Sequence, residues 1–177
     1  FGVGVNASGR AVAVGAFGTA VKSEDGGHSW SSIAPDWKSF TASGEQPHLY
    51  GAVVDHAGVI TVAGEFGLIL RSTDGGASWT LQQFDAAWGR PYFDILFFDA
   101  DHGLLAGANG TLKKTADGGK SWDAVDSEAF ADTPNLYNLV KLGNGTLLIA
   151  GERGFLARSG DQGATWTQLK SPYTGSF

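Results

Sequence analysis

Four aspartates of this 177-residue chain stand in near-identical surroundings: Asp25, Asp74, Asp117 and Asp161. Each lies in a Ser/Thr-x-Asp-x-Gly-x-Ser/Thr-Trp sequence, ending at Trp30, Trp79, Trp122 and Trp166 respectively. Carboxylates flanked by hydroxyls are the residue types of general acid–base catalysis and of hard-cation ligation. Their distribution points elsewhere. A catalytic acid is needed once, whereas these recur once per repeat, so the expected role is structural. Asp accepts backbone N–H bonds inside its own turn, Gly supplies positive φ, and Trp covers the edge of a sheet. Burying such a Trp removes about 150–250 Å² from water, a gross gain of about 4–6 kcal/mol.

Other chemistry finds little support. The four histidines, His28, His48, His56 and His102, are scattered, and metal binding needs convergence. There is no cysteine, which excludes disulfides, thiolate metal sites and Cys nucleophiles. Tyr50 and Tyr137 share one repeat position, where core packing explains them. The paired carboxylates of a glycoside hydrolase would have to come from different repeats, and loop acids such as Glu45, Asp85 and Glu128 read as solvated. No catalytic residue, metal or cofactor is expected. The formal net charge of −6 argues against nucleic acid and against an anionic membrane surface. No apolar run approaches the length that crosses a bilayer.

The elements that must position these residues follow from the repeat. Gly15, Gly64, Gly107 and Gly151 each precede their Asp by ten residues (25−15, 74−64, 117−107, 161−151). The Asp-to-Asp periods are 49, 43 and 44 (74−25, 117−74, 161−117). An aromatic-led first strand, as in Leu49-Tyr50-Gly51-Ala52-Val53-Val54, is followed by a turn and a nearly all-apolar second strand, Val59-Ile60-Thr61-Val62-Ala63. A Gly-x-x-Gly turn leads to a third strand, and the Asp turn to a fourth that begins at the Trp. Four short strands per period with this turn chemistry predict an all-β chain, a β-propeller of four-stranded antiparallel blades at about 1–47, 48–90, 91–134 and 135–177. Second strands apolar on both faces require neighbours on both faces.

The turns divide between two faces. Asp turns share one face with the turns between first and second strands, and that chemistry is repetitive. The other face carries the Gly-x-x-Gly turns and the blade connections, which vary: Phe17, Glu65-Phe66, Asn109 and Arg153 at the tips, Trp37, Trp88 and Arg90 in the connections. Variable loops on a rigid scaffold, with Trp and Arg as anchors, make Trp37, Trp88, Arg90, Phe17, Phe66, Glu65 and Arg153 the candidate binding residues.

Ser72-Thr73-Asp74-Gly75-Gly76-Ala77-Ser78-Trp79 resembles the Asp-box, or BNR, repeat of sialidases, sortilin-type receptors and some glycoside hydrolases. The longer run from Gly64 to Gly76 is similar to the photosystem II stability/assembly factor family and its bacterial relatives. That resemblance implies a seven-bladed propeller, an exported protein and a noncatalytic scaffold that binds protein. The partner implied is a membrane-complex subunit, in the periplasm or, in a photosynthetic source, the thylakoid lumen. The family's binding surface includes clustered arginines. This chain has five, Arg10, Arg71, Arg90, Arg153 and Arg158, which suits a periplasmic relative better. The alternative is a carbohydrate-active protein, sialidase-like or another glycoside hydrolase. The Arg-Ile-Pro signature of sialidases has only Gly89-Arg90-Pro91 as its nearest match.

The first-strand aromatic sits fourteen residues before the leading Gly at Phe1, Tyr50, Phe93 and Tyr137 (15−14, 64−14, 107−14, 151−14). Position 1 is not Met and falls inside an expected strand, so residues are expected upstream. Both ends fall at one phase of the repeat. Four blades either close with Phe177 beside Phe1 or belong to a larger ring. The expectation is the larger ring, its remaining blades supplied by the same longer chain or by another copy.

Overall fold

A computed structural model describes residues 1–41, 44–55, 57–85 and 89–177. Its strands form four four-stranded antiparallel sheets, each ordered as it runs in sequence. The first holds β1 (Gly2–Val5), β2 (Ala11–Val14), β3 (Ala20–Ser23) and β4 (Ser31–Ser32). The second holds β5 (Leu49–Val54), β6 (Ile60–Gly64), β7 (Ile69–Ser72) and β8 (Thr80–Gln83). The third holds β9 (Tyr92–Phe97), β10 (Gly103–Gly107), β11 (Leu112–Thr115) and β12 (Asp123–Ala124). The fourth holds β13 (Leu136–Lys141), β14 (Leu147–Gly151), β15 (Leu156–Ser159) and β16 (Thr167–Leu169). The chain divides into two compact units, 1–91 and 92–177, each with two sheets.

In the first unit the core lies between sheets one and two. Val12, Val14 and Ala20 of the first meet Ala52, Val54, Ile60 and Val62 of the second. All five residues of β6 are buried, as expected of a strand apolar on both sides. The two innermost strands approach closely because β1 alternates glycine: a Cβ on Gly2 would lie 2.1 Å from the Tyr50 carbonyl oxygen, and one on Gly4 2.4 Å from that of Ala52. In the second unit Leu104, Ala106 and Leu112 meet Leu136, Leu139, Leu147 and Ile149.

The first-strand aromatics acquire a reason. In β5, β9 and β13 the register slips past one residue, Tyr50, Phe93 and Tyr137 respectively. Each is the unpaired residue of a bulge, which re-aims its side chain out of the ladder. The rings then pair between neighbouring sheets, Phe1 with Tyr50 at 5.5 Å and Phe93 with Tyr137 at 5.3 Å between centroids.

Candidate functional site

Each Asp turn is a closed set of hydrogen bonds. The Ser23, Ser72, Thr115 and Ser159 hydroxyls donate to the Asp carboxylate at 2.8, 2.8, 2.8 and 2.7 Å. The same hydroxyl oxygens accept the N–H of Gly27, Gly76, Gly119 and Gly163 at 2.8 to 2.9 Å. Four residues beyond each Asp, a Ser or Thr donates both its N–H and its hydroxyl to the carboxylate, at 2.9 and 2.6 Å for Ser29 on Asp25. These donors hold the carboxyls of Asp25, Asp74 and Asp161 down to about 2, and that of Asp117 also far below the ordinary range. A carboxylate so held does not deliver a proton near neutrality, and both of its oxygens accept bonds within the turn, so the four aspartates act as turn locks.

The accompanying tryptophans differ in burial. Trp166 is 8% exposed, with its ring 5.9 Å from Phe130. Trp79 is half-buried, and its Nε1 donates to the Ile33 carbonyl of the preceding sheet at 2.9 Å. Trp122 is half-buried and lies edge-on to Phe97. Trp30 corrects the expectation of a uniformly covering Trp. It is 44% exposed and donates to its own turn, at the Gly27 carbonyl.

The Gly-x-x-Gly turns are tight hairpins with positive φ at both central residues. Phe17, Phe66, Asn109 and Arg153 have φ of 52°, 56°, 54° and 56°, and the glycines after them 64°, 62°, 69° and 71°. The closing bonds run from Thr19, Leu68, Thr111 and Phe155 N–H to the carbonyl three residues back. This is the type I′ turn, in which Asn-Gly is the unstrained pair. Asn109-Gly110 obeys that preference, but Phe17, Phe66 and Arg153 do not, and a bulky residue there carries local strain of about 1–3 kcal/mol.

The tips display the expected residues unequally. Phe17 is 69% exposed, its ring 5.2 Å from His48. Phe66 is half-buried against Phe84 at 5.9 Å. Arg153 is exposed, donates from Nη2 to the Asp132 carbonyl, and lines a cleft of about 550 Å³ with Glu152, Lys170 and Tyr173. Arg90 is exposed in the connection after β8. Glu65 is engaged in the frame: Oε2 accepts the His48 N–H at 2.8 Å and Oε1 the Tyr50 hydroxyl at 3.3 Å. Glu152 does the same for the Asn135 N–H at 3.2 Å. Burial, and then the Glu65 carboxylate, raise the Tyr50 phenol above its usual range.

Trp37, expected as a surface anchor, is 5% exposed. It packs beneath the Phe17 tip, where a Cβ on Gly18 would lie 2.1 Å from its Nε1, and beside Phe40. The glycine leaves room for an indole under the turn, so Trp37 supports the tip instead of being displayed. Trp88 lies outside the described residues.

Two residues that sequence reasoning passed over hold the tips in place. His48 Nδ1 accepts the Phe17 N–H at 3.3 Å, and Asn135 Oδ1 accepts that of Asn109 at 3.0 Å. The signal was available, since each stands two residues before a first-strand Tyr.

The family model described as photosynthesis system II assembly factor YCF48 matches residues 82–173, just over half of the chain. The chain belongs to that family. No curated protein matches it in sequence. Among solved structures, YCF48 bound to D1 peptide is 20% identical with a TM-score of 0.70, covering 95% of this chain and 53% of that one. YCF48 from Cyanidioschyzon merolae is 17% identical with a TM-score of 0.73, covering 98% and 57%. A GH74 enzyme from Niastella koreensis is 19% identical with a TM-score of 0.71, covering 94% and 29%. The chain therefore spans little more than half the length of the YCF48 structures it resembles. These likenesses establish the fold, an all-β propeller with BNR-type repeats, and the four sheets are its blades.

Proposed function

We propose that the chain is a noncatalytic protein-binding scaffold, one that takes a segment of a partner protein on the tip face. The observation that carries this reading is the contrast between its two kinds of turn. The Asp turns spend their polar groups on themselves, whereas three of the four tips hold Phe17, Phe66 and Arg153 in a backbone conformation that disfavours them. Strain kept at positions as exposed as Phe17 and Arg153 points to use of the side chain. Family membership supports the reading, as does the relative that carries a D1 peptide. The partner proposed is a membrane-complex subunit, and the compartment the bacterial envelope.

The test separates display from folding. Phe17→Gly removes the strain and the ring together. It should leave the melting temperature unchanged or higher while weakening capture of partner protein from envelope extract by about tenfold. Unchanged capture by Phe17→Gly, Phe66→Gly and Arg153→Gly alike would remove the tip face from the proposal.

The second reading, a carbohydrate-active protein, draws on the likeness to the GH74 enzyme. Release of reducing sugar from xyloglucan, abolished by a carboxylate substitution, would establish it.

A further inference from the structure

The first and third tips are anchored alike. In each, the closing bond runs at 3.1 Å, from the Thr19 N–H to the Ala16 carbonyl and from the Thr111 N–H to that of Ala108. In each, the tip glycine donates to a proline carbonyl in the connection that follows its sheet, Gly18 to Pro47 at 2.9 Å and Gly110 to Pro134 at 2.6 Å. The residue after that proline accepts the N–H of the central tip residue with its side chain. His48 Nδ1 lies 3.3 Å from the Phe17 nitrogen, and Asn135 Oδ1 lies 3.0 Å from that of Asn109. Both acceptor residues are half-buried. What differs at the anchor is the chemistry of the acceptor.

An amide oxygen accepts whatever the pH. An imidazole nitrogen accepts only in the neutral ring, whereas the imidazolium carries a proton on both nitrogens and can only donate. Histidine is the side chain that makes this change between about pH 5 and pH 8. On the charged ring the Nδ1–H would face the Phe17 N–H, two donors with no acceptor between them. Asn109 is at ease in its turn, but Phe17 needs holding. A bulky residue at a φ of 52° persists where its surroundings over-determine it. The Phe17 ring also lies 5.2 Å from the imidazole, so turning the imidazole away removes the bond and the ring contact together.

Three elements besides the tip bring groups to this ring. Its own strand brings Tyr50, 6.5 Å away between centroids. From β1 comes Phe1 at 5.8 Å, its amino group donating to the Val14 carbonyl. From the second tip comes the Glu65 carboxylate, which accepts the His48 N–H at 2.8 Å and the Tyr50 hydroxyl at 3.3 Å. The Glu65 bond fixes the backbone at residue 48 and leaves the ring to change.

We infer that His48 is a proton-dependent latch: the neutral ring holds Phe17 in its displayed position, and the protonated ring releases it. Partner capture through this tip then falls as pH drops, a consequence that rests on the tip face being the binding surface.

The latch is tested on the whole chain by following amide and imidazole resonances from about pH 8 to pH 5 by NMR. The Phe17 amide should shift with the same midpoint as the His48 ring protons, while the Asn109 amide stays flat. His48→Asn, which copies the third tip, should leave the Phe17 amide flat as well. Asn135→His should transfer the titration to the Asn109 amide, so the result does not depend on one variant folding. Between about pH 7.5 and pH 5.5, wild-type capture of partner protein from envelope extract should fall about fivefold, as the loss of one hydrogen bond implies. His48→Asn should capture equally at both. A Phe17 amide that ignores the His48 titration would overturn the latch, as would a Phe17 amide that still titrates in His48→Asn or an Asn109 amide that stays flat in Asn135→His. If the Phe17 amide follows His48 while capture ignores pH, the latch stands and the tip face is not the binding surface.

Discussion

The carboxylate of Asp94 on β9 accepts the backbone N–H of Leu139 on β13 at 2.8 Å and, with its other oxygen, the N–H of Ile95. It stitches the innermost strands of two neighbouring blades where the first unit has only glycine at the matching place, Gly2. Burial pushes its carboxyl above the usual range, and the two N–H donors offset that in part.

From this geometry Asp94→Ala should destabilise by about 1–3 kcal/mol, because the Leu139 N–H loses its acceptor. Asp94→Asn should cost less than Asp94→Ala at neutral pH, since its amide oxygen still accepts one bond and no charge is buried. The raised carboxyl means the folded state holds its proton more tightly than the unfolded state. The Asp94 contribution therefore declines as pH rises through the carboxylate range. Urea denaturation of the wild type and both variants at pH 3.5 and pH 7 checks the order and the sign.

The tryptophans should separate by burial. Trp37→Ala empties a buried site beneath the Phe17 tip and should cost about 3–5 kcal/mol. Trp30→Ala removes a largely exposed ring and should cost under about 1 kcal/mol. Chemical denaturation of the two variants tests this ranking. Equal losses would mean that Trp30 is covered in solution.

The Asp turns set the acid limit of the fold. Their carboxyls lie near 2 in the folded chain for Asp25, Asp74 and Asp161, against about 3.9 for an unfolded Asp. A depressed carboxyl contributes stability that is complete above the unfolded value and is lost as pH falls through the folded one. The melting temperature should therefore drop between about pH 4 and pH 2, and Asp74→Asn should flatten that drop. Ser72→Ala should destabilise by about 1–3 kcal/mol at pH 7 by leaving the buried Gly76 N–H unpaired. A calorimetric pH series on the three proteins measures both effects.

What the sequence determined alone was everything local in the chain. The ten-residue spacing from Gly64 to Asp74 carries a hairpin, a strand and a turn whose conformations depend on their own residues, so four recurrences of it specify four sheets. Asp74 as a turn lock was legible for the same reason, because its donors, Ser72 and Ser78, lie within four residues. Tyr50 was legible as a recurring position, though its bulge was not. Burial was decided elsewhere. Trp30 and Trp79 occupy one motif position, yet one is exposed and the other reaches a neighbouring sheet. Trp37 looked like a surface anchor and lies under a turn made passable by Gly18. Val3 and Ala52 share a position and differ tenfold in exposure. The Asp94–Leu139 bond joins residues 45 apart in the chain. A side chain's solvent exposure depends on which sheet comes to rest against it, and only the tertiary structure brings that sheet into place.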